Sequence, residues 1–185
     1  VSYNKKTNGM TRILFFFLAV TIGMNAQNKV VPLEEKVNFT INNPDFEDIL
    51  FLDVNHHLTP FIGQWKSKHD GYEVEFSIAQ YFDKDNHQDA LFGCIKVEKD
   101  GIVILDTTTF TGPNYITGGI FTNSKDPQTL LLFFSEITDK WVCGHVSEIT
   151  LTLTHSGTLQ WNLNEKYGLS TIRFLPKNLE FKKVI

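Results

Sequence analysis

Six histidines, two cysteines and a scatter of carboxylates are the side chains of this chain best suited to chemistry. A metal needs ligands that converge on one point, as in a His-Glu-x-x-His run on a helix. That run is absent, and His56-His57 with Asp53 has no strand or helix spacing that would converge its ligands. His145 and Glu148 are three apart, which on a strand sends them to opposite faces. The histidines are therefore read as surface or turn residues, and no metal or cofactor is expected. Covalent catalysis needs a nucleophile with an activating neighbour. There is no Gly-x-Ser-x-Gly, no phosphate-cradling glycine loop and no cysteine in an oxyanion-type turn. Gly118-Gly119 lies inside strand-like sequence and reads as a bend or bulge. No catalytic residue is assigned; an enzyme ranks third among the functional readings.

What would position these groups is a series of short strands. Asp70-Gly71 is a two-residue hairpin signal, because a type I′ turn needs positive φ at both positions. Folding the flanks about it opposes Lys68 to Glu73, Lys66 to Glu75 and Trp65 to Phe76. Charges then lie on one face, and Trp65, Val74 and Phe76 on the other. Asp100-Gly101 repeats the device after a strand over Gln88–Glu98, opposing Val97 to Ile104 and Leu91 to Phe110. That register turns Cys94 away from the Val97 face, so Cys94 and Cys143 are read as unpaired. Strands follow at Tyr115–Thr122 and Thr129–Ile137. A three-residue loop at His155-Ser156-Gly157 matches Leu153 with Leu159, Leu151 with Trp161 and Ile149 with Leu163. Thr171–Leu175 and Leu179–Lys183 close the series. The expectation is an all-β antiparallel meander of roughly eight to ten strands closing into a barrel, which hides its edges. A two-sheet sandwich is the runner-up.

The amino end reads differently. A basic flank, an apolar run over Ile13–Gly23 and a small residue, Ala26, before Gln27 have the form of a secretory signal peptide. Met10 reads as its start, with residues 1–9 as an upstream extension. The run is short for a membrane span, so residues 1–26 are assigned to the signal, 27–43 to a flexible lead-in and 44–185 to the domain. Asn43-Pro44 with Asp45, Glu47 and Asp48 reads as the start of a short helix carrying Ile49, Leu50 and Leu52. The expected mature chain is secreted or periplasmic, without an integral membrane span. The whole chain carries a formal charge of −4; the mature part keeps 14 basic and 21 acidic residues, a balance of −7. Such acidity argues against nucleic acid as a partner.

Gly63-Gln64-Trp65, entering the first hairpin after a helix-like turn, resembles the Gly-x-Trp signature of lipocalin-like barrels. The overall layout is similar to that of small secreted bacterial proteins of unknown function. The lipocalin resemblance implies that Gly63 and Trp65 are structural, with Trp65 at a closed end under a basic residue from a late strand. Arg173, the only arginine after the signal segment, is the residue it implies. It also implies a non-enzymatic binding protein with a small apolar ligand inside the barrel. Phe76, Ile95, Ile104, Leu151 and Trp161 are the expected lining. The alternative is a protein-interaction or inhibitor module with a filled core, working through loops such as 112–115 and 124–128. The signal reading predicts an exported chain that begins near Gln27. Intact-mass measurement on protein recovered from an exporting host checks this, and a retained 13–23 segment contradicts it.

Overall fold

Two Asp-Gly dipeptides set the register of the first half of the sheet. In the computed structural model, which describes residues 28–39, 48–108, 116–135, 146–164 and 175–184, both take left-handed backbone. Asp70 and Gly71 have φ of 47° and 79°, and Asp100 and Gly101 have 51° and 80°, the type I′ geometry that matches strand twist. The first joins β3 (Gly63–His69) to β4 (Tyr72–Asp83). Trp65 pairs with Phe76, Lys66 with Glu75 and Lys68 with Glu73, the register expected from charge and hydrophobic matching. The second joins β5 (Gln88–Lys99) to β6 (Ile102–Asp106). Here the expected register holds for two pairs and then slips. Glu98 pairs with Val103, but Val97 pairs with Leu105. Ile104 is the extra residue of a bulge, so it packs half-buried at the edge of the core rather than inside it.

The remaining strands run as β7 (Ile116–Phe121), β8 (Thr129–Ser135), β9 (Val146–Leu153), β10 (Leu159–Asn164) and β11 (Asn178–Lys183). The loop at Gly157, with φ of 77°, aligns Leu153 with Leu159, Leu151 with Trp161 and Ile149 with Leu163, as expected. Gly118-Gly119 carries the expected bulge, with the register shifting between Gly118 and Ile120. The expected partner of Leu91, Phe110, lies outside the described residues; Leu91 pairs instead with Gln80 and Gly118.

That last pairing closes the ring. The strands run β5-β4-β3-β11-β10-β9-β8-β7, and β7 returns to β5 through Ile116 with Gly93, Thr117 with Phe92 and Gly118 with Leu91. Every pairing in this circuit is antiparallel. The result is a closed eight-stranded barrel, not a sandwich. β5 is long enough to bond β4 along one side while β7, β6 and an amino-terminal strand, β2 (Ile49–Leu52), share the other.

The amino-terminal part departs from expectation. Residues 29–38 fall within the stretch read as a flexible lead-in, yet form β1 (Lys29–Pro32) and a 3-10 turn, Leu33–Asn38. Ile49, Leu50 and Leu52 are not helical; they lie in β2 (Ile49–Leu52), parallel to β1. Ile49 and Phe51 are buried while Leu50 and Leu52 are half-buried, a period of two that suits a strand. The Asn43-Pro44 cap lies outside the described residues. The helix-like turn before Gly63 is a 3-10 turn, Thr59–Phe61, with Pro60 near its start. Together these pieces form a strap over one end of the barrel, burying Leu33, Phe51, Leu58 and Phe61.

Under the strap, Trp65 is 1 % exposed, and its indole N–H donates to the Phe61 carbonyl at 2.8 Å. Arg173 lies outside the described residues. Among the described residues, a basic group over Trp65 is Lys183 of β11, whose ammonium sits 5.2 Å from the ring centroid and donates to the Pro60 carbonyl at 3.3 Å. Gly63 makes room for it: at φ of 131°, a Cβ there would come within 2.9 Å of Lys183 Cε. Trp65→Ala is expected to cost about 3–5 kcal/mol, as large core truncations do. Lys66→Ala, at the exposed end of an ion pair, should leave the denaturation midpoint nearly unchanged. Equal losses in denaturant melts would contradict the face assignment.

Candidate functional site

The barrel interior is the first place to look. Phe76, Ile95 and Leu151 are 0 % exposed, which leaves no water-sized space against them, and Trp161 is 1 % exposed. They touch one another instead. The Phe76 and Trp161 rings meet edge to face at 5.5 Å, and Phe181 lies 5.9 Å from Phe76 and 6.2 Å from Trp161. The structure thus brings four of the five expected lining residues into the core and leaves Ile104 at its margin. Phe76 lies so close to β5 that a Cβ on Gly93 would fall 2.4 Å from its ring. Among the described residues, one polar atom inside is unsatisfied: Trp161 Nε1 is buried without an acceptor.

Outside, the β3–β4–β5 face is a charge ladder. Lys66 reaches Glu75 at 2.5 Å, Lys68 reaches Glu73 at 2.8 Å and Lys96 reaches Glu98 at 2.7 Å. The Lys68 hydrogen bond holds the Glu73 carboxyl below the usual range. The stabilisation this gives is therefore present at neutral pH and fades as pH falls through the lowered value. Three shallow clefts of about 390, 390 and 380 Å³ adjoin at the tip of the β3–β4 hairpin, and His69 borders all of them. Tyr72 and Leu175 supply the apolar part of the middle one. His69 itself is held by Asp70 at 3.1 Å.

The second polar concentration is at the strap end, and its organiser is Asp53. This residue is 6 % exposed; its carboxylate accepts the backbone N–H of His57 at 2.7 Å and of Leu58 at 3.0 Å. Its own N–H donates to Asp89 Oδ2 at 2.8 Å. His56 takes a left-handed φ of 57° within the loop so formed. The loop carries Asn55 and His57 onto Glu34 of the first 3-10 turn. Nearby, Lys36 bonds Gln88 and sits 5.2 Å from the Phe51 ring centroid; burial pushes its ammonium below the usual range, against the opposing pull of Asp83.

Sequence spacing could not reveal this cluster, because Glu34 reaches the 53–57 loop only through the parallel pairing of β1 with β2. His56-His57 with Asp53 gave a hint, but as ligand spacing they pointed nowhere. Among the described residues no group of three or more His, Cys, Asp or Glu is placed to hold a metal ion. No helix among them is long and apolar enough to cross a membrane. Cys94 is half-buried on the outer side of β5; Cys143 lies outside the described residues.

Residues 6–179 match the model of a family described as a family of unknown function, DUF6705. No curated protein matches the chain, and no solved structure does.

If Asp53 organises the strap-end loop, Asp53→Ala should destabilise the protein by about 1–3 kcal/mol for each amide left buried and unpaired. Asp53→Asn, which keeps one carbonyl acceptor, should lose less. Chemical melts give the loss, and hydrogen exchange should quicken first at His57 and Leu58. Unchanged protection at those amides would remove Asp53 from this role.

Proposed function

We propose that this chain, which belongs to DUF6705, a family of unknown function, is an exported, non-enzymatic binding module that engages a partner through the outside of a filled barrel. The observation that carries this reading is the contact of Phe76, Trp161 and Phe181 across the interior, with no exposed surface left on Phe76, Ile95 or Leu151. An eight-stranded barrel has room either for its own side chains or for one small ligand. Here aromatic side chains take that volume. Surfaces at the barrel ends are then what is left to recognise anything, and they include the 124–128 loop, where Ser124 accepts a hydrogen bond from Asn38 at 3.2 Å.

One observation favours a second reading, a carrier of a small apolar ligand. The buried Trp161 Nε1 has no acceptor, and leaving such a donor unpaired costs on the order of 1–3 kcal/mol. A ligand with a single acceptor atom would satisfy it, provided Phe76 or Phe181 swung aside. The two readings separate in one experiment. The gently purified protein is extracted with organic solvent, and the stripped protein is titrated with fatty acids and apolar fluorophores. The filled-barrel reading expects no extracted ligand and no saturable binding. Saturable binding that weakens in Trp161→Ala or Phe76→Ala would replace it with the carrier.

A further inference from the structure

Glu34 is a carboxylate buried for a reason that the fold alone does not supply. It is 5 % exposed, and it lies in a 3-10 turn where the exposed Asn38 donates to the half-buried Glu35 at 2.6 Å. Its Oε1 accepts the side-chain amide of Asn55 at 2.5 Å. Its Oε2 is buried and has no partner. Among the described residues, the one basic group in ion-pair range is His57, with Nε2 3.6 Å from Oε1, too far for a hydrogen bond. Lys36, two residues on, is committed to Gln88 and the Phe51 ring, and Asp53 to two backbone amides. An unpaired oxygen on a buried carboxylate costs more than the same defect on a neutral group. A leucine or glutamine in that turn would fill the space without it.

The surroundings are polar and partly open to solvent. Asn55 is exposed and the His57 side chain is 35 % exposed, so the carboxylate is roofed by polar side chains rather than sealed under the core. Side chains at i and i+3 of a 3-10 turn eclipse, which puts Val37 on the face of Glu34. Val37 is 42 % exposed, and Val54, beside Asn55, is 48 % exposed. The His57 ring has the Phe121 ring 6.1 Å behind it at 81°, which holds the imidazole upright.

We propose that Glu34, roofed by Asn55 and His57 and flanked by Val37 and Val54, is the recognition site for one cationic side chain, lysine or arginine, of a partner protein. Charge complementarity selects this occupant: a cationic N–H donor supplies what Oε2 lacks, and charge-assisted hydrogen bonds to carboxylates are the strong kind. The two valines cover the aliphatic stem of such a side chain. The site rests on the reading that the barrel acts through its exterior, and it identifies the strap end as the face that does so.

The test titrates the full chain, followed by NMR, with methylguanidinium and butylammonium chlorides at constant ionic strength. Tetramethylammonium, which has charge but no N–H, is the control. Saturable shifts are expected at the Asn55 side-chain amide and the His57 ring, absent with tetramethylammonium and weakened about tenfold or more in Glu34→Gln, as loss of a charged hydrogen bond implies. Glu180→Gln, which removes an exposed carboxylate on β11 away from the strap, should bind the same probes as tightly as the unaltered chain. Shifts that never saturate, an equal response in Glu34→Gln or to tetramethylammonium, or loss of binding in Glu180→Gln would overturn the proposal. These signals arise outside the barrel, so they are read independently of whether an apolar ligand enters it.

Discussion

The structure depends on a volume constraint: eight strands closed into a ring enclose little more than their own inward side chains. Closure is made by the short contact of β7 with β5, and it brings β4, β5, β10 and β11 around one centre. Phe76 projects into that centre with its ring against Gly93, where even a methyl group would not fit. Phe181 of β11 and Trp161 of β10, two and three strands further round the ring, complete the packing. Among the described residues, aromatic rings thus meet at that centre. This turns attention from the inside of the barrel to its ends.

At one end the solution is a corner built from three residues far apart in sequence. Gly63 has both the positive φ and the missing Cβ that allow Lys183 to pass. Lys183 lies over Trp65 and bonds the Pro60 carbonyl, while the Trp65 indole bonds the Phe61 carbonyl. The amino-terminal turn, the first strand and the last strand are thereby tied together where the ring would otherwise have its weakest seam. β3 and β11 share only two paired positions. A cation over an indole contributes on the order of 1 kcal/mol, but its placement at that seam decides how the barrel is capped.

The strap shows how polar groups reach the same end. Two parallel strands bring Glu34 beside a loop that Asp53 holds in shape. Parallel pairing needs a long connection, so the partners are remote in the chain and no short motif announces them. The opposite end is ordered by tight hairpins whose charges answer one another locally, as Lys66 with Glu75 and Lys68 with Glu73. Local charge matching leaves those side chains satisfied. The strap end keeps one carboxylate oxygen that is not.

What could be read from the sequence was whatever neighbouring residues decide among themselves. Asp70-Gly71 dictates a type I′ turn, and the Lys–Glu pairs and Trp65–Phe76 follow by counting outward from it. The same logic holds at Gly157, where apolar matching chose the three-residue loop. It failed at Ile104, because a bulge is one extra residue whose cost and gain depend on what β5 meets on its other side. It failed again at Ile49–Leu52, where acids after a proline favour a helix but an available parallel partner, β1, made a strand. Gly63 and Trp65 were legible as a corner, while the contact of Lys183 with Trp65 was not, since a residue from the far end of the chain is brought there by register around the ring. Whether the lining residues enclose a space is likewise a tertiary matter. Phe76 and Trp161 were correctly placed inward, but sequence alternation tells only which way a side chain points, while the distance to the opposite wall decides whether anything fits between.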